Sequence, residues 1–263
     1  MKPPFPYLGS KSRLAPKIIA LLPDHTHYVE PYAGSLAVLL AKPRSLAETV
    51  NDMDSNIHNL WWVIRDQPRE LADALAMTPH GPEEYYRCLR DYPSTDDRVE
   101  QARRTITVLW QGISRTTRHG GMWGTYVTYT PKSVSLPAQL GRFRDRIQPV
   151  ADRLADVTIE NRPAVEMLDR YARAKDVCLY LDPPYLPETR SGAQYPTDMT
   201  EQDHLDLLDR VTSCTAKVVI SGYPSPLYDD RLAGWQRHEF KASARGLGVT
   251  SSPRTEVVWV KPC

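Results

Sequence analysis

Apolar positions in the first third of the chain fall into two periods. Leu14, Ile18, Leu21 and Leu22 recur at helical spacing and Pro23 stops the run, so residues 10–22 read as an amphipathic helix. A strand-like stretch over residues 26–29 breaks at Glu30-Pro31-Tyr32-Ala33-Gly34 and leads into an apolar helix over residues 35–41. Strand, small-residue turn and helix make a first βα unit. Residues 48–50 read as a second strand ending in Asn51-Asp52-Met53-Asp54, with a helix over 56–64. From about Gln67 to Ala155 the alternation is lost: helical stretches at 82–90 and 99–110 precede a Gly-, Thr- and Tyr-rich segment, 110–131, that reads as a hairpin or loop. It resumes with strands at 157–159, 177–181, 217–221 and 254–260 and helices at 164–172 and from Thr200, which caps its helix with Asp203 at the third position. The expectation is one α/β sheet interrupted by a mostly helical insert.

The 263 residues carry 33 Lys+Arg against 32 Asp+Glu, so net charge says nothing about partners. Its distribution does. Residues 101–144 hold Arg103, Arg104, Arg115, Arg118, Lys132, Arg142 and Arg144 and no acid, a candidate nucleic-acid face. Cys88, Cys178, Cys214 and Cys263 are scattered without CxxC spacing, which argues against a disulfide framework or a structural zinc. No metal site is expected. With no apolar run of membrane-spanning length and no signal-peptide pattern at the start, a soluble cytoplasmic protein is expected.

In an open α/β sheet the site lies beyond the carboxyl ends of the strands, where this sequence places Glu30 to Gly34, Asp52, and Asp182-Pro183-Pro184-Tyr185. Two prolines stiffen the last of these and leave the preceding carbonyls free to accept. A carboxylate beside a carbonyl suits the two hydrogens of an exocyclic amine, and Tyr185 offers a flat surface. The expected ligand is an amino-substituted planar ring.

Asp182-Pro183-Pro184-Tyr185 resembles the (D/N/S)PP(Y/F/W) motif of amino-group DNA methyltransferases, and the order of elements resembles their Dam type, which is adenine-specific. Tyr7-Leu8-Gly9-Ser10-Lys11 is similar to that family's aromatic-x-G-x-K element, and Glu30 to Gly34 to its EPFxG motif. Gln111 to Arg115 with Gly121, Trp123 and Tyr126 is similar to its recognition hairpin. The resemblance implies a Rossmann-like class I methyltransferase sheet with helices on both faces, built from residues 1–55 and 156–263, and a target-recognition insert over 56–155. It implies methyl transfer from S-adenosylmethionine (AdoMet) to a flipped adenine stacked on Tyr185, its amine held by Asp182 and the Pro183 carbonyl. Tyr7, Lys11, Glu30, Pro31, Tyr32, Gly34, Asp52, Asn161, Arg162 and Asp182 would face the cofactor, with Lys11 on its carboxylate and Asp52 on its ribose. Arg115, Arg118 and His119 are candidates for base edges or phosphates, Lys132, Arg103 and Arg104 for phosphates, and Trp123, Tyr126 and Tyr129 for wedging into the duplex. Double-stranded DNA is the expected partner of a monomer or weak dimer.

Three positions depart from the family pattern. Leu36 replaces a second turn glycine, Gln111 replaces the hairpin asparagine, and Pro6 stands where the family member that methylates GATC has a lysine used on a guanine. Two alternatives therefore stay open: another amine acceptor, on cytosine or RNA, and a DNA-binding protein with a degenerate AdoMet site.

Overall fold

The computed structural model describes residues 1–91, 95–113, 121–124, 138, 143–186, 198–242 and 254–262. Strands β1 (His27–Glu30), β2 (Ala47–Asn51), β3 (Val157–Glu160), β4 (Val177–Leu181) and β5 (Lys217–Gly222) pair in parallel. β7 (Arg254–Val260) runs antiparallel to β5 and to β6 (Gln236–Ala242), completing a seven-stranded sheet of order β3-β2-β1-β4-β5-β7-β6.

The central strands are apolar on both faces, as a parallel sheet covered by helices requires. Tyr28, Cys178, Tyr180 and Val219 pack into one core with α1 (Ala15–Ile19), α2 (Ala37–Ala41) and α3 (Ser55–Asp66). Val29, Leu179, Leu181, Val218 and Ile220 pack into the other with α8 (Ala164–Tyr171), α9 (Glu201–Ser213) and α10 (Pro226–Arg231).

Between β2 and β3 lie α3, α4 (Pro68–Ala76), α5 (Pro82–Arg90), α6 (Arg98–Gln111) and α7 (Phe143–Leu154). Leu71, Ile106, Leu109 and Ile147 from these helices join Leu60, Trp61 and Val50 in the first core, so the insert is packed onto the sheet through shared apolar residues. Arg153 on α7 strengthens this junction. It donates to Glu48 of β2 at 2.5 and 2.9 Å and to the Leu39 carbonyl at 2.9 Å, while Lys42 donates to the same Glu48 at 2.7 Å.

Local signals hold where the chain's own neighbours decide. α5 spans 82–90 as its pattern predicts, and Thr200 and Asp203 form a reciprocal capping box. The first helix is shorter than expected, because residues 12–14 are turns and the α-helix begins only at Ala15, with Pro16 in its first turn. β6 is absent from the sequence reading: its polar residues lack an apolar alternation, and its partner β7 supplies the hydrogen bonds. The expected hairpin falls largely outside the described residues; what is described of it is a bridge between Gly112 and Trp123.

Glu48→Gln is expected to lower unfolding stability by roughly 3–5 kcal/mol in denaturant titration, since it leaves Lys42 and Arg153 buried without a counter-charge; an unchanged midpoint would show that the trio adds nothing.

Candidate active site

The strand order reverses at β1, with β2 on one side and β4 on the other, so the loops leaving β1 and β4 diverge and open a cleft. Glu30, Pro31, Tyr32 and Gly34 line it from the β1 exit, Asp52 from β2, Asp182 and Pro184 from β4, and Tyr7 and Lys11 from the N-terminal segment. Asn161 and Arg162, at the β3 exit, line an adjoining depression, and Pro163 to Val165 reach the cleft instead. Asn161 Nδ2 donates to the Asp52 carbonyl at 2.6 Å, and the Arg162 guanidinium is taken by Glu160 at 2.7 Å.

The β1 turn is tightly built. Gly34 has φ +45°, a left-handed value, and a Cβ there would stand 3.0 Å from the Tyr7 ring. Its N–H donates to Asp52 Oδ2 at 2.8 Å, and its carbonyl accepts from Trp61 Nε1 at 2.9 Å. The next helix is capped by Asp54, whose side chain accepts from the Asn56 N–H, so Asp52 is not spent as an N-cap. Asn51 went unnoticed in the sequence. Buried, it donates to the carbonyls of Pro31 and Arg162 at 3.0 Å each and ties the β1 and β3 exits together.

Leu36 also adopts a left-handed backbone, φ +51°, which explains why a glycine suits this position and costs a leucine about 1 kcal/mol. Its side chain is fully buried in the first core and is not part of the cleft lining. The substitution therefore strains the turn without narrowing the site.

At the β4 exit, Asp182 Oδ1 accepts from Lys11 Nζ at 2.8 Å and Ser221 Oγ at 2.9 Å, with the Tyr185 hydroxyl oxygen 3.2 Å away. Ser221, at the end of β5, is in turn paired with the Tyr180 hydroxyl at 3.0 Å. The single proton of the Tyr185 hydroxyl goes to Glu256 Oε1, the nearer oxygen, and its ring packs edge-on against Tyr223, with centroids 4.5 Å apart. Pro183 and Tyr185 are both buried. The sequence reading gave Lys11 to a cofactor carboxylate. Here its ammonium sits on Asp182, also donates to the Gly9 carbonyl at 3.0 Å, and lies 3.6 Å from Glu256. Ser221 and Glu256 were both missed; Glu256 carries a signal in retrospect, as the acid immediately before the apolar end of β7.

The phosphate expectation for Arg103 and Arg104 is corrected. Arg103 is buried, bonded to Glu84 at 2.6 Å and to Glu100 at 2.6 and 2.9 Å, and Arg104 donates to Glu100 at 2.7 Å. Glu100 stands just before the acid-free run, one helical turn from both arginines, and neutralises its first members. Trp123 packs beside Tyr85, Cys88, Leu89 and Val108, and buried Gln111 donates to the Pro79 carbonyl at 3.1 Å. Arg115, Arg118, His119, Tyr126, Tyr129 and Lys132 lie outside the described residues.

Charge in the cleft is lopsided. Glu30, Asp52, Asp54, Asp182, Asp198, Asp203 and Asp206 line it against Lys11 and Arg210. Burial pushes the Glu30 carboxyl up to about 8 and Asp52 up to about 7, each helped by a neighbouring aspartate. Such a lining fits a ligand that brings positive charge, as AdoMet does with its sulfonium and ammonium groups. Among the described residues no cluster of His, Cys, Asp and Glu could hold a metal ion, and no helix is long and apolar enough to cross a membrane.

Sheet order and a site at the reversal of strand order define an α/β enzyme with a methyltransferase-type fold. Residues 7–242 match the model of the D12 class N6 adenine-specific DNA methyltransferases, and the chain belongs to that family. It is similar to the Type II methyltransferase M1.LlaDCHI of Lactococcus lactis subsp. cremoris, with 26% identity over 277 residues that span 98% of this chain and 93% of the relative.

The raised carboxyls set a pH dependence. Glu30 titrates at 4.5 when unfolded and about 8 when folded, and Asp52 at 3.8 and about 7. The folded state thus holds more protons between those limits, and stability falls as pH rises from about 4 to 8. In denaturant titrations without ligand, Glu30→Gln should remove at least about 1 kcal/mol of that fall; an identical pH slope in the variant would place the Glu30 carboxyl in the ordinary range.

Proposed function

We propose that this adenine-specific DNA methyltransferase uses AdoMet and acts on an adenine turned out of the duplex into the cleft. The observation that carries the reading is Asp182, a carboxylate held by Ser221 and the Pro183-Pro184 exit at the mouth of an acidic cleft. The adenine amine is a weak nucleophile because its lone pair is delocalised into the ring. Asp182 and the Pro183 carbonyl accept its hydrogens and favour a pyramidal nitrogen with an available lone pair. Tyr185 supplies the stacking face, which returns roughly 1–3 kcal/mol of the energy spent on extruding the base.

AdoMet supplies an electrophilic methyl group on a sulfonium. The cleft carboxyls face its positive charge, which favours loss of the proton from the raised Glu30 carboxyl, Asp52 accepts from ribose hydroxyls, and Gly34 lets the backbone approach, while Tyr7, Pro31 and Tyr32 shape the walls and Asn161 and Arg162 border the adenine end. Residues 1–55 and 156–263 form the catalytic part; residues 56–155 supply target recognition through Arg115, Arg118, His119, Tyr126 and Lys132 on double-stranded DNA. The buried side chain of Leu36 removes the motive for reading the cofactor site as degenerate.

The test is transfer of labelled methyl from AdoMet to mixed-sequence duplex DNA, followed by nucleoside analysis. N6-methyldeoxyadenosine is expected from the wild type, with Asp182→Ala slowed by at least about 100-fold while DNA binding survives. Label on cytosine, preference for RNA, or full activity in the variant would each defeat the assignment.

A further inference from the structure

The ammonium of Lys11 stands where the target amine is needed. It is 2.8 Å from Asp182 Oδ1 and lies over the Tyr185 ring, 4.9 Å from the centroid, so it meets two of the three groups that the proposed function gives to the flipped adenine. An ammonium and an amine cannot share that place. Lys11 must move when the base enters, and it must not be left without a counter-charge, because its side chain is only 7% exposed.

Glu256 is the destination the structure offers. Its carboxyl Oε1 is 3.6 Å from Lys11 Nζ, already within ion-pair range, so the ammonium can swing off Asp182 without losing a counter-charge. Glu256 is buried on β7, a strand flanked on both sides by hydrogen-bonded partners, and its position does not depend on the cleft loops. The Tyr185 hydroxyl donates to the same oxygen, which fixes the ring on which the base stacks.

Resting on the adenine reading, we propose that Lys11 is an internal placeholder for the target amine and that Glu256 is a positioning residue which takes over Lys11 from Asp182 when the base arrives. Without Glu256, Lys11 has Asp182 as its remaining anionic partner among these three groups and holds it against the incoming amine. The site then binds cofactor normally and transfers slowly.

The test is a double-mutant cycle on the full-length chain, using Glu256→Gln, Lys11→Met and the pair, with labelled AdoMet and mixed-sequence duplex DNA. Glu256→Gln is expected to lower kcat by about 100-fold with AdoMet affinity unchanged. The pair is expected to be no slower than Lys11→Met alone, because with Lys11 gone there is nothing for Glu256 to receive. Losses that multiply, a Glu256→Gln kcat within twofold of wild type, or a loss matched by weaker AdoMet binding would overturn the proposal. If Glu256→Gln does not fold, Glu256→Asp keeps the charge but shortens its reach by one methylene, and the same cycle is read on it. Wild-type enzyme runs alongside: its failure to methylate adenine strikes the functional reading itself, whereas normal transfer by wild type and variant alike strikes the placeholder alone.

Discussion

Parallel pairing of β1 with β4 is the constraint on which the site depends. The register sets Val29 opposite Leu179, so the turn that follows Glu30 and the one that follows Leu181 leave the sheet side by side although the whole insert separates them in sequence. Because β2 lies on the other side of β1, the loops diverge and the cleft needs no further device to stay open. Asn51 and Trp61 then hold the β1 turn from below through backbone carbonyls, which leaves the polar groups facing the cleft available for ligand.

The second theme is how charge is confined. Three ionic groups, Lys11, Asp182 and Glu256, share one small volume beside Tyr185, and a buried charge in such a place is tolerated only while it has a partner. This makes the arrangement responsive: an amine entering on Asp182 changes what Lys11 must pair with. The Glu48, Lys42 and Arg153 trio obeys the same rule with a different outcome. There the three charges already pair with one another, only Arg153 Nε being left without a hydrogen-bond partner, so they join the insert to the sheet.

Much of the fold was legible because its signals are local. The apolar period, the prolines after Asp182 and the Thr200 capping box act through neighbours in the chain, and each element they mark is found within a few residues of its expected place. Most candidate site residues could be picked out for a related reason: acids and glycines at strand ends have few structural duties that would put them there. The basic run over 101–144 was legible as composition, but the pairing of Arg103 was not, since Glu100 lies one residue outside it and Glu84 comes from another helix.

The sequence by itself determined the alternation of strands and helices, the position of the insert, and the motif that names the chemistry, because backbone preference and side-chain period depend on residues a few positions apart. Tertiary structure decided the rest. That Leu36 turns into the core, that polar β6 becomes a strand by pairing with β7, and that Lys11 faces Asp182 and Glu256 all depend on which distant segments meet. Coulomb attraction and burial act over ångströms in space, and no spacing along the chain encodes them.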